Sequence, residues 1–136
     1  MKYTHFMDKY PVYTKELPKA GCSFNSVDEI IALLEAKVEA NPVSCKIGLF
    51  DHHAHTSSLP EGEIAPNLRA AKHLVFCFGI KLPGPEAMAV RPRSIGVCEL
   101  DDSFVISFME APNPQMNAVM TAWVEELAEA CSPDAS

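Results

Sequence analysis

The stretch SIGVCELDDSFVISFM, Ser94 to Met109, decides the fold. Two runs rich in β-branched and aromatic residues, Ser94–Leu100 and Ser103–Met109, flank Asp101-Asp102, and the spacing predicts a β-hairpin. Hairpin partners run antiparallel, so the sheet is read as antiparallel from this point outward. Upstream, HLVFCFGIKL (His73–Leu82) is continuously apolar and predicts a strand covered on both faces or buried in an oligomer. Between the two lies LPGPEAMAVRPR, a loop held by Pro83, Pro85 and Pro92. Earlier still, Val43–Phe50 reads as a strand with Val43, Cys45, Ile47 and Leu49 on one buried face. A short helical turn is expected over Asn67–Lys72.

Two segments carry a helical period. In SFNSVDEIIALLEAKVEANP, Ser26 and Glu29 have the capping-box spacing. Val27, Ile30, Ile31, Leu34 and Val38 then fall on one helical face, and Asn41-Pro42 stops the helix. At the other end, Asn113-Pro114 gives an N-cap followed by proline in the first turn. Met116, Val119, Met120, Trp123, Val124 and Leu127 form that helix's apolar face, and Ser132 and Pro133 end it. Val12–Leu17 is a first strand closed by Pro18. The eleven residues before it are expected to be irregular. The order is β-α-β-β-β-β-α: an α+β two-layer sandwich, an antiparallel sheet with two helices on one face. Residues 1–136 are read as a single domain.

Composition narrows the function classes. Lys and Arg number 11 against 18 Asp and Glu, a net charge of −7, which gives no footprint for nucleic acid or an anionic membrane. No apolar stretch reaches the roughly 18 residues of a membrane span. The N-terminus has no signal-peptide core. Five cysteines, Cys22, Cys45, Cys77, Cys98 and Cys131, show no CxxC pairing. Cys45, Cys77 and Cys98 lie in apolar runs and read as core residues, while Cys22, in a Gly-Cys-Ser turn, reads as the exposed thiol. The expectation is a reduced, cytoplasmic protein.

Three features then point to a family. FDHHAHT follows the second strand, Phe78-Gly79 ends an apolar strand, and the closing hairpin VCELDDSFVISFMEAPNP carries Ile106-Ser107 and Pro112. Together they resemble the bacterial domain-of-unknown-function 302 family over about residues 12–130. The resemblance implies a TATA-binding-protein-like β-α-β4-α arrangement, often dimeric. It makes His52 the counterpart of the family's histidine and implies no activity or catalytic residue.

The densest polar cluster is Asp51-His52-His53-Ala54-His55. If the strand continued, Asp51, His53 and His55 would share one side, with His52 on the other. Such a set can hydrogen-bond a small ligand, or ligate a divalent metal such as zinc, with Glu110, Cys98 or water completing the shell. A plain strand-to-loop transition with Asp51 bonding backbone N–H groups explains the same residues. Arg91 and Arg93, on the proline-stiffened loop, can clamp a small carboxylate or phosphate, with Arg69, Lys72 and His73 as further positive charge; ordinary ion pairing is the alternative. Glu110, at the junction of the last strand and the last helix, is a third ligand-binding residue and, in a pocket, a general base. A Cys–His nucleophile has no local signature here.

Three function classes follow. The first is a non-enzymatic ligand-binding or regulatory module, a homodimer with a polar site around Asp51–His55. The second is a small metal-assisted enzyme using Asp51, His53 and His55. The third is an interaction module pairing through the apolar strand Leu74–Leu82.

Overall fold

The computed structural model describes residues 1–131. Six antiparallel strands form one sheet: β1 Lys2–Phe6, β2 Tyr10–Pro18, β3 Ser44–Asp51, β4 Ala70–Phe78, β5 Arg93–Glu99 and β6 Ser103–Met109. Their spatial order is β1-β2-β6-β5-β4-β3. Helix α1 spans Val27–Ala40, α2 His52–Ser58 and α3 Pro114–Glu126. Single 3₁₀ segments cover Pro85–Val90 and Leu127–Ala130. The expected α+β class, the antiparallel sheet and the β5–β6 hairpin are all present. In that hairpin Leu100 N–H donates to the Ser103 carbonyl at 2.8 Å.

The capping residues start α1 as its spacing predicts. Ser26 Oγ accepts from Glu29 N–H, and the Glu29 carboxylate reaches back to Asn25 N–H at 2.6 Å, one residue beyond the usual capping-box partner. Val27, Ile30, Ile31, Leu34 and Val38 are all buried. They meet Leu74, Phe76, Phe78, Ile95, Val97, Phe104, Ile106 and Phe108 on one sheet face, with Met120, Trp123 and Val124 of α3 closing the same core. Phe78 stacks on the Trp123 ring with centroids 5.6 Å apart. The opposite sheet face carries no helix from α1 or α3.

Several expectations are corrected. The first residues are not irregular: β1 pairs with β2 from Lys2↔Thr14 to Phe6↔Tyr10. β4 alternates, with Leu74, Phe76 and Phe78 buried and their neighbours half-buried, so it is covered on one face only. It is also internal, bonded to β3 and β5, so it offers no edge for a partner. β3 is the edge strand instead. Its register shifts between Lys46 and Gly48, and Cys45, Ile47 (58% exposed) and Leu49 (50% exposed) lie at the surface rather than on a buried face. No helical turn forms over Asn67–Lys72, where β4 already begins at Ala70. Cys22 and Cys131 are joined by a disulfide across 109 residues, leaving Cys45, Cys77 and Cys98 free. Cys22 is therefore no exposed thiol, and Cys45 is exposed rather than core. The helix end expected at Ser132 and Pro133 lies outside the described residues. No helix among the described residues is long and apolar enough to cross a membrane.

Candidate functional site

The Asp51–His55 run does not continue β3. Asp51 caps α2, its Oδ1 accepting from Ala54 N–H at 2.8 Å. The helix turns the side chains by about 100° per residue, so the two-residue alternation that would have aligned Asp51, His53 and His55 is lost. Among the described residues no group of three or more His, Cys, Asp or Glu side chains is placed to hold a metal ion. His52 contacts a residue from elsewhere in the chain: its Nε2 lies 2.5 Å from His73 Nδ1. Phe50 flanks both His52 and His55, with centroids 4.7 and 5.6 Å away. His73 stands opposite Gly96 in the β4–β5 ladder, and a Cβ there would come within 3.0 Å of its ring. Glycine therefore makes the seat for this imidazole. Burial, then the neighbouring His52, push the His73 imidazole below its ordinary value. The cluster joins helix to sheet, and Asp51 bonds a backbone N–H as the plain strand-to-loop reading expects.

The concave site lies at the other end of β4 and β5. A cavity of about 930 Å³ opens between the loop after Phe78 and the start of α3. Its wall includes Phe78, Met116 and Ala111, with Arg91, Arg93 and Lys81 as basic groups and Glu86 as the acidic one. The proline-rich loop supplies one wall because Pro83, Pro85 and the 3₁₀ segment Pro85–Val90 hold it clear of the sheet. The other wall is the turn from β6 into α3. There Asn113 Oδ1 accepts from Gln115 and Met116 N–H, and Ala111 N–H donates to Asn117 Oδ1 at 3.0 Å. These bonds fix the first turn of α3 beside the cavity.

Both arginines predicted from sequence reach this cavity. Neither pairs with a carboxylate among the described residues. Arg91 donates to the Lys81 carbonyl and Arg93 to the Met109 carbonyl. The Arg93 Nε–H is buried with no partner, and burial pushes its guanidinium below the ordinary value. Carbonyl acceptors leave the positive charge unneutralised, in a chain whose surplus is acidic. Arg69 and Lys72 do not join them. Arg69 pairs with Asp101 at 2.6 Å, at the far end of β5, and Lys72 pairs with Asp28 at 2.6 Å.

Glu110 is not part of the cavity wall. Its carboxylate accepts from the Tyr3 and Tyr13 hydroxyls at 3.3 and 3.4 Å. Desolvation, then this carboxylate, push the Tyr3 phenol up, which keeps it a donor. Phe78, Lys81 and Met116 are cavity residues not singled out as site residues from sequence. Their convergence had no local signal, because residues far apart in the chain, such as Phe78 and Met116, meet only through the fold.

A family model described as a family of unknown function, DUF6858, matches residues 1–129. The chain belongs to the DUF6858 family. No curated protein matches this DUF6858 chain. A crystal structure of an uncharacterized conserved DUF302 protein from Bacillus stearothermophilus is similar to it in fold. That structure shares 14% identity, covers 88% of this chain and 94% of its own, and superposes with a TM-score of 0.50. The sequence resemblance to the 302 family therefore holds for this DUF6858 protein at the level of the fold.

Proposed function

We propose that this protein is a non-enzymatic binding module whose cavity takes a small anion with an apolar body, such as an aromatic or short aliphatic carboxylate. One observation carries the reading: Arg93 is half-buried in the cavity wall and, among the described residues, has no acidic partner, and its Nε–H is unsatisfied. A half-buried guanidinium with an unmet N–H gains from an acceptor of opposite charge, and a ligand carboxylate supplies charge and acceptor together. Phe78, Met116 and the prolines receive the apolar part. The volume is that of a small-molecule site. Titration calorimetry with benzoate, octanoate and inorganic phosphate tests it. Benzoate or octanoate binds the native protein, benzamide does not, and Arg93→Met weakens binding at least about tenfold, as loss of a charged hydrogen bond does. Equal affinity in Arg93→Met, or no binding of any of these anions at millimolar concentration, overturns the reading.

A second reading, a homodimer, is favoured by the β3 edge, where Ile47, Leu49 and Phe50 are all at least 44% exposed. An unpaired apolar edge is a template for a second strand. Sedimentation equilibrium at micromolar concentration shows a dimer that Leu49→Lys dissociates; a monomer throughout removes it.

A further inference from the structure

We infer that Cys45 and Cys77 form a two-thiolate site for a soft monovalent metal ion, with Cu(I) as its representative. The two free thiols are direct partners across the β3–β4 ladder. Cys77 lies between buried Phe76 and Phe78, so its side chain points to the opposite sheet face, away from α1 and α3. Cys45, as its direct partner, shares that face. β3 is the outermost strand, and Cys45 is exposed, so solvent reaches the pair from the side. This face is not the one that carries Arg93, whose ladder partner is the buried Phe76, so the site is separate from the anion cavity.

The ladder decides what the pair can bind. Gly79 N–H donates to the Val43 carbonyl at 2.8 Å, two residues along from Cys45 and Cys77. Antiparallel pairs alternate in kind, so Cys45 and Cys77 belong to the hydrogen-bonded kind, with Cα atoms about 5.5 Å apart. Their Cβ atoms are then also about 5.5 Å apart, wider than the roughly 4 Å a disulfide needs. An ion between the sulfurs suits this width, because two metal–sulfur bonds of about 2.3 Å span about 4.6 Å. Each thiol now makes only a weak contact with a neighbouring carbonyl, Cys45 Sγ to Lys46 O at 3.5 Å and Cys77 Sγ to Phe78 O at 3.4 Å. Little is lost when they turn toward each other.

Ligand number selects the ion. Zinc takes four ligands, and among the described residues no third His, Cys, Asp or Glu joins the pair. Soft thiolates select Cu(I), and two of them complete a linear shell. Binding releases one proton from each thiol, leaves the oxidation state of copper and sulfur unchanged, and gives a bis-thiolate complex of charge −1.

The test uses the full chain with its Cys22–Cys131 disulfide intact, under anaerobic conditions, titrated with Cu(I) against the chromophoric chelator bathocuproine disulfonate. The native protein withdraws one equivalent of Cu(I) from the chelator and gains a thiolate-to-copper absorption in the near ultraviolet. Cys45→Ser and Cys77→Ser each lose that equivalent, whereas Cys98→Ser keeps it. Cys45→Ser alters an exposed edge residue, and its unchanged circular dichroism separates loss of the ligand from loss of the fold. No transfer from the chelator, or transfer unaffected by Cys45→Ser, overturns the site. So does ready formation of a Cys45–Cys77 disulfide with ferricyanide, two hydrogens lighter by mass, because it would show the thiols closer than the ladder allows.

Discussion

His73 shows how one side chain sets a local pH response. It is half-buried on β4, seated over Gly96 and bonded to His52, and its folded value lies below the ordinary one. The unfolded chain therefore binds a proton that the folded chain resists. Stability from this group is full above about pH 6.5, the unfolded value, and falls as pH drops from there toward the lower folded value. Urea titrations between neutral pH and pH 5 should show a decline that His73→Gln flattens. A decline of equal slope in His73→Gln would mean that carboxylates elsewhere carry it. At this scale the sequence was informative about identity and silent about partners. His52 stands out in FDHHAHT, yet nothing local says that it meets a residue 21 positions away. That Arg91 and Arg93 lie together on a proline-stiffened loop was legible, and both line the cavity. Their lack of acidic partners among the described residues was not legible, since it depends on which carboxylates the fold brings near them.

Among the elements, α1, α3 and the β5–β6 hairpin were legible because caps, periods and stops agree with their tertiary setting. Those that escaped each had a physical reason. β1 reads as a mixed segment because the turn that returns it to β2 passes through Met7 and Asp8, both left-handed (φ 56° and 60°). Neither has the Asn-Gly signature of such turns. α2 is seven residues long, too short to show a period, and its start was hidden because Asp51 also ends β3. β3 alternates in sequence as a buried strand does, but alternation cannot tell a centre from an edge. The register shift at Lys46/Gly48 and the missing outer neighbour bring its apolar side chains to the surface. The candidate metal set at Asp51, His53 and His55 rested on extending that strand by four residues, and it dissolved with the start of α2.

For the whole molecule, the sheet order puts the two ends of the chain to structural use. β1 completes one edge, and the Met1 ammonium lies 3.4 Å from Glu125 on α3. Ser23 N–H donates to the Ala130 carbonyl, beside the Cys22–Cys131 bond. A cross-link over so long a loop stabilises mainly by restricting the unfolded chain, typically by about 2–4 kcal/mol. Denaturation of native protein, with and without reductant, should separate by that amount, and Cys22→Ser/Cys131→Ser should match the reduced form under both conditions. Coincident curves would show that the bond adds nothing. Cys22 read as an exposed thiol because spacing alone cannot reveal that positions 22 and 131 meet.

That bond also changes the topology of the molecule. From Cys22 to Cys131 the chain is a closed covalent ring. Two segments outside regular structure, 59–69 and 79–84, lie within the ring. A protease that nicks either one opens the ring but severs nothing: both pieces stay joined by one covalent link and migrate together until reductant is added. The wall of the cavity can thus be cut, or lengthened by insertion, without releasing the strands that carry the rest of the fold.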